Sequence, residues 1–250
     1  MIARSPVRVV PTAADAARAS AERFAETARE AVDARGRFSV ALSGGTTPRA
    51  AYTLLAEEPY RSRIPWEGVH LFWGDERCVP PGHPRSNFGM ANAAFVSRVP
   101  IPAANVHRMR GELPARDGAE QYAAELAAFF GPGIPRFDLI HLGVGPDGHT
   151  CSLFPFDDTL RVRDRAVIPA LLRSLGEPRI TFTVPVLNEA ARVEVLAPGA
   201  DKAAIVHKVL AGPLDPFRLP IQLARPIDGE MEWLVDQGAA SRLARGPGAA

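Results

Sequence analysis

Apolar positions along this chain fall into short dense runs separated by longer amphipathic stretches, so that strand-like and helix-like periods alternate. Val7-Arg-Val-Val10 reads as a short strand. Thr12 then offers an N-cap with Asp15 three residues on, opening a long alanine-rich helix to about Arg35 that Gly36 ends. Phe38-Ser-Val-Ala-Leu42 is the next strand, and after a glycine loop Pro48 suits the first turn of a helix through about Ala56. Val69-His-Leu-Phe-Trp73 is a third strand. The stretch from Gly74 to Pro84 carries three prolines and reads as a long irregular loop, which favours a binding role over a plain connection. Ser86 caps a helix to about Val96. Beyond it the pattern predicts a helix over 117–130, strands over 137–142, 166–169 and 179–184, and another strand over 192–196. A helix over 200–210, a strand over 231–235, a short helix over 237–243 and a loose tail over 245–250 complete the chain. This alternation predicts one α/β domain over 1–250, an open and mostly parallel sheet with helices on both faces.

Composition narrows the function classes. The 250 residues are 46% hydrophobic and 23% charged, an ordinary globular balance. The net charge of +1 gives no general field for gathering nucleic acid or an anionic membrane, so no nucleic-acid or membrane partner is expected and any anionic ligand must be held locally. No apolar run approaches the ~20 residues that span a bilayer, no signal-peptide core is present, and the acidic residues Asp15, Glu22, Glu26 and Glu30 argue against a transit peptide. A cytoplasmic location is the expectation. Cys78 and Cys151 are the only cysteines, which gives neither a disulfide framework nor zinc spacing. Of the 29 basic residues 27 are arginine, and Lys202 and Lys208 are the two lysines. A chain that writes arginine almost everywhere has reason to keep a lysine where a compact ammonium is needed.

The candidate chemistry sits in loops that follow strands. Gly143-Val-Gly-Pro-Asp-Gly-His149 comes straight after a buried strand, where open α/β sheets bind ligands, and a histidine there can act as a general base near neutral pH. Ser43-Gly44-Gly45-Thr46-Thr47-Pro48 joins a strand to a helix, so its amides and the positive end of the helix suit a phosphate, although a tight connection would read the same way. It is neither a Walker loop nor a dinucleotide loop. Asp75, Glu76 and Arg77 enter the long loop beside that crevice, where Arg77 could hold a phosphate or carboxylate; a solvated turn is the plainer reading of three charges. Lys202 is placed in the first turn of its helix, where a cation opposes the macrodipole and an anion would explain it, whereas Lys208 faces elsewhere. Arg179, opening its strand, is a weaker phosphate candidate and equally an edge-strand charge. His141 lies within a strand and reads as a core imidazole; His70, His83, His107 and His207 show no partner pattern. No helical metal spacing and no Gly-x-Ser-x-Gly elbow occurs, so no metal and no serine nucleophile are expected.

In order and spacing, Ser43–Pro48, Trp73-Gly-Asp-Glu-Arg77 with Ser86-Asn87, Gly143–Pro155, Arg179-Ile-Thr and Gly199-Ala-Asp-Lys202 resemble the 6-phosphogluconolactonase family over nearly the whole chain. The resemblance implies the Rossmann-like fold shared with glucosamine-6-phosphate deaminases. It also implies hydrolysis of 6-phosphoglucono-1,5-lactone in the oxidative pentose phosphate route, without metal or organic cofactor. His149 would be the base and Asp147 would orient it or bind a sugar hydroxyl. Ser43, Gly44, Gly45, Thr46, Asp75, Arg77, Arg179 and Lys202 would hold the substrate. Cys151 stands where that family usually has alanine. Deaminases typically follow the histidine with Ile-Ala-Phe-Asn-Glu-Pro and read Asp-Glu-Tyr where this chain has Asp75-Glu76-Arg77, and both differences favour the lactonase. A non-catalytic sugar-phosphate sensor would keep the phosphate loop and Lys202 but could lose His149, which is present. The expected partner is a sugar-phosphate lactone, and the expected assembly a monomer or small homo-oligomer.

Overall fold

Thr12 and Asp15 do cap the first helix reciprocally: Thr12 Oγ1 accepts from the Asp15 amide at 3.1 Å, and the Thr12 amide donates to Asp15 Oδ2 at 3.0 Å. Such a cap typically contributes ~0.5–2 kcal/mol. The computed structural model describes residues 6–171 and 176–243, so the tail expected over 245–250 lies outside the described residues. The elements are β1 (Val7–Val10), α1 (Ala13–Arg35), β2 (Phe38–Leu42), α2 (Thr46–Leu55), α3 (Tyr60–Arg63), β3 (Val69–Trp73), β4 (Asp75–Arg77) and α4 (Asn87–Ala94). They continue with α5 (Ala115–Phe130), β5 (Leu139–Leu142), β6 (Val167–Ala170), β7 (Arg179–Phe182), α6 (Val184–Glu189), β8 (Arg192–Leu196), α7 (Ala203–Leu210) and β9 (Glu230–Asp236). The buried face of α1 is mostly alanine, with Ala21, Ala25 and Ala28 letting the helix lie close to the sheet, and Phe24 fills the gap edge-on to Phe38 at 5.3 Å.

The main sheet is fully parallel with strand order β1-β9-β8-β5-β2-β3. From β2 the chain winds outward to β3, while from β5 it winds the other way to β8 and β9. The winding therefore reverses between β2 and β5, and their C-terminal loops diverge around a crevice. Those loops are Ser43–Pro48 and Gly143–Thr150, so topology alone brings the glycine loop and the histidine turn together. All five β2 residues are buried, as expected of a strand covered on both faces. No helix among the described residues is long and apolar enough to cross a membrane.

A second, antiparallel sheet of order β4-β7-β6 differs from the sequence reading. Asp75, Glu76 and Arg77 are not the start of an irregular loop but a strand, with Asp75 opposite Thr181, Glu76 opposite Ile180 and Arg77 opposite Arg179. Charge hid it, because the strand is held by pairing with a segment about a hundred residues away and not by its own propensity. Arg179 is correspondingly not on an edge, since β7 is the central strand of the three. The region over 200–210 also splits: a 3-10 turn covers Ala200–Lys202 and α7 starts after it, making Lys202 the N-cap residue. Finally, His70 and His107 do have partners. Their rings meet at 3.2 Å, and His107 Nδ1 lies 2.8 Å from Glu125 Oε1.

Candidate active site

A cleft of about 270 Å³ opens at the divergence of β2 and β5. Ser43, Gly44, Gly45 and Thr46 form one wall, Asp75, Arg77 and Arg179 a second, and His149 with Lys202 a third. Asp147 is not part of the lining but holds the lining histidine. A larger groove of about 460 Å³ near Leu214, Ile221 and Trp233 is bordered by no histidine, acid or lysine among the described residues, so the chemistry they offer concentrates in the smaller cleft.

The His149 turn is built by backbone bonds. Gly145 N–H donates to His149 O at 2.9 Å, Gly148 N–H to Gly145 O at 3.0 Å, and Thr150 Oγ1 to Gly143 O at 2.9 Å. A Cβ on Gly145 would run into the His149 ring, so the turn closes only because residue 145 has no side chain. Asp147 Oδ1 accepts from the His149 amide at 3.1 Å and lies 2.6 Å from Nδ1. Burial pushes the Asp147 carboxyl up, but the His149 amide, its charge and its ring outweigh that and hold it below the ordinary value. An ionised carboxylate only accepts, so Nδ1 carries a proton, and in the neutral ring it is Nε2 that keeps the lone pair. Phe154, a residue the sequence reading passed over, packs its ring 4.6 Å from the imidazole and also lies under Arg179, whose guanidinium carbon is 5.6 Å from the ring centre.

The second wall is electropositive. Register places Arg77 directly across from Arg179, and like charges directly opposite are destabilising in an antiparallel pair. Burial lowers the Arg179 pKa and the neighbouring Arg77 charge adds to that, while Asp75 and Glu177 oppose it. Arg77 Nη1 donates to Arg85 O at 2.6 Å, yet the Nε groups of both arginines are buried without a hydrogen-bond partner among the described residues. Two buried guanidinium donors without partners call for an anionic acceptor. Lys202 adds a third cation, its Nζ donating to Val144 O at 3.0 Å beside the His149 turn. On the loop wall, Gly45 is the N-cap of α2 and makes no side-chain cap bond, which leaves the positive helix end uncapped by its own N-cap residue.

Asp75 and Glu76 have different tasks. Asp75 is buried at the cleft wall; Asn87 Nδ2 donates to its Oδ1 at 3.0 Å and Ser152 Oγ to its Oδ2 at 2.7 Å. Glu76 turns away and collars the start of α4, accepting from the Asn87 and Phe88 amides at 2.7 and 2.8 Å and from Ser86 Oγ at 3.0 Å. Burial raises its pKa, and those donors pull in the opposite direction. Ser86, as expected, also caps α4 through the Gly89 amide at 3.0 Å. Asn87, absent from the sequence-derived site, lines the cleft, and its amide occupies the place a Cβ on Gly44 would take. Only the Ser86-Asn87 pair in the sequence pointed to it. Cys151 also lines the cleft in a left-handed conformation (φ 49°), and burial pushes its thiol pKa up, away from the nucleophilic form.

Residues 11–233 match the model of the glucosamine-6-phosphate isomerases/6-phosphogluconolactonase family. A 6-phosphogluconolactonase from Synechocystis is 43% identical over 219 residues, covering 86% of this chain and 88% of that protein. The solved 6-phosphogluconolactonase of Trypanosoma cruzi superposes with a TM-score of 0.86 at 25% identity, over 98% of this chain and 99% of that one. A monomeric glucosamine-6-phosphate deaminase shares the fold with a TM-score of 0.79 at 19% identity, over 95% of this chain and 99% of that one.

Proposed function

Since this chain belongs to the family of glucosamine-6-phosphate isomerases and 6-phosphogluconolactonases, we propose that it hydrolyses 6-phosphoglucono-1,5-lactone to 6-phosphogluconate, in the oxidative branch of the pentose phosphate pathway. The observation that carries the reading is that one cleft holds an Asp147-held imidazole together with two arginines incompletely partnered among the described residues. The phosphate sits at the Ser43–Pro48 loop with Arg77, Arg179 and Lys202, and so fixes the lactone carbonyl about one sugar length away, beside His149. Binding energy at the remote phosphate is thereby spent on orientation. Nε2 takes a proton from water as the water oxygen bonds to C1. When the tetrahedral intermediate collapses, the bond from C1 to the ring oxygen breaks. That oxygen leaves with the proton returned by the imidazolium, and the new carboxylic acid ionises into solvent. Asp147 holds the imidazole and stabilises its charged form, and Asp75 presents an acceptor to a sugar hydroxyl.

The stretch Thr150–Pro155 contains no carboxylate, so His149 relies on Asp147 and lacks the following glutamate that deaminases typically carry. Lactone opening should therefore greatly exceed ammonia release. The test is an assay with fresh 6-phosphogluconolactone, corrected for spontaneous opening, beside ammonia release from glucosamine 6-phosphate. Robust ammonia release with lactone opening no faster than buffer overturns the reading. The lysine assignment is separable: Lys202→Ala should weaken 6-phosphogluconate binding about ten-fold, the lower end of a charge-assisted contact. Lys208→Ala, at an exposed position on α7, should not. Equal small effects in a calorimetric titration would remove Lys202 from the site.

A further inference from the structure

Beneath the cleft floor lies a polar chain that the mechanism does not use. Ser43, the first residue of the phosphate loop, turns its amide inward and donates to Tyr52 Oη at 2.9 Å. Tyr52 is on α2, the helix that the loop itself leads into, and is fully buried. Its hydroxyl lies 3.4 Å from Nδ1 of His141, and the two rings stack at 5.8 Å. His141 is the penultimate residue of β5, so only Leu142 separates it from the turn that carries His149. We propose that Tyr52 and His141 form a buried tie that sets the phosphate loop in register with the His149 turn, acting as positioning residues for the phosphorylated end of the substrate. The inference rests on the proposed seat of the phosphate in the Ser43–Pro48 loop.

Proton counting fixes the direction of the bonds between Ser43, Tyr52 and His141. Burial pushes the Tyr52 phenol well above its ordinary pKa, so the hydroxyl keeps its proton. The Ser43 amide already occupies an oxygen lone pair, and the hydroxyl proton points to His141 Nδ1. Burial, with the Arg23 charge adding to it, pulls His141 down to about 4, so the ring is neutral and has one N–H. With Nδ1 accepting, that N–H is on Nε2, facing Glu194 Oε1 at 3.7 Å, its register partner on β8. Glu194 is itself held by Ser20 Oγ at 2.5 Å and faces Arg23 Nε at 3.1 Å. Among the described residues Nε2 has no hydrogen-bond partner, so the Nδ1 contact with Tyr52 is the polar bond that orients the imidazole.

The surroundings make this costly unless it has a purpose. Phe24 stands 6.2 Å from the His141 ring and Phe95 5.6 Å from the Tyr52 ring, a setting in which Phe and Leu would pack without any polar atom to satisfy. What polarity adds here is a directional link between two loops that enter the cleft from different strands. It also turns the Ser43 amide away from the cleft, so that Ser43 lines the wall without offering its N–H there.

The experiment compares Tyr52→Phe and His141→Leu with His141→Asn, whose side-chain oxygen can replace Nδ1 as acceptor. In the first two, KM for 6-phosphogluconolactone and the Kd of 6-phosphogluconate by calorimetry should both rise about ten-fold, because the ligand must then order a loop that the tie no longer holds in register. The value of kcat should move less than about three-fold, since the imidazole chemistry is untouched. His141→Asn should restore both affinities. A lowered melting temperature with unchanged KM and Kd would make the pair ordinary core and overturn the tie, as would a fall in kcat at constant KM. If Tyr52→Phe fails to fold, the contrast between His141→Leu and His141→Asn still decides. A wild-type protein that opens no lactone would sink the functional reading, and the 6-phosphogluconate titration would then judge the tie alone.

Discussion

Replacing His149 by Asn should lower kcat for lactone opening roughly 10²–10⁴-fold, the usual cost of losing a general base, while the affinity for 6-phosphogluconate changes little. The asparagine amide can still donate to Asp147, so the turn that Gly145 and Gly148 close is kept, but it cannot take a proton from water. Acidifying the wild type should cause the same loss, because a protonated Nε2 has no lone pair, and the variant's residual rate should lack that dependence. The Asp147 carboxyl is held below its ordinary value, so the acceptor that orients the ring persists as the pH falls below neutral. Spontaneous opening accelerates at high pH, so the comparison belongs at neutral pH or below with the uncatalysed rate subtracted. A variant with wild-type kcat there would make His149 structural. The base would then be sought at Asp75, because Glu76 is committed to the start of α4.

The parts of this site legible in the sequence were those that local chemistry dictates. Thr12 and Asp15 announce a capped helix because both partners lie within one turn. The loops after β2 and β5 were legible because a buried apolar run must end in residues that tolerate tight turns, and β2 and β5 were the runs bounded that way. Their adjacency was not legible, because alternation implies a parallel sheet but not the order of its strands. The second sheet was not legible. Asp75-Glu76-Arg77 has three charges and no apolar residue, and it is a strand only because β7 pairs with it and Asn87, Ser86 and Ser152 satisfy its carboxylates. The place of Arg179 on a central strand was hidden for the same reason, since nothing local to it reveals that Arg77 stands opposite. His70 and His107 looked isolated because their meeting depends on how the chain returns beside β3. Tyr52 and His141 likewise come together only when β2 and β5 are neighbours.

Removing Arg179 should separate binding from stability, in opposite directions. With Arg179→Met, 6-phosphogluconate should bind ten- to about a hundred-fold more weakly, the loss of one charge-assisted contact in a partly dry cleft. Without ligand, the same variant should be at least as resistant to urea as the wild type. The fold holds Arg179 opposite Arg77 and lowers its pKa, which means that the folded state disfavours its charge, and methionine keeps a long apolar stem against Phe154. Relief of one like-charge cross-strand pair is worth up to about 1 kcal/mol, against which the lost attraction of Asp75 and Glu177 must be set. Adding 6-phosphogluconate should then reverse the order, because ligand stabilises each protein in proportion to the logarithm of its occupancy ratio and the wild type binds more tightly. Urea midpoints for both proteins, with and without ligand, read the crossing directly. A variant that loses stability without ligand and keeps wild-type affinity would show that Arg179 is held by Asp75, Glu177 and Phe154 as a structural cation, and would take it out of the phosphate site.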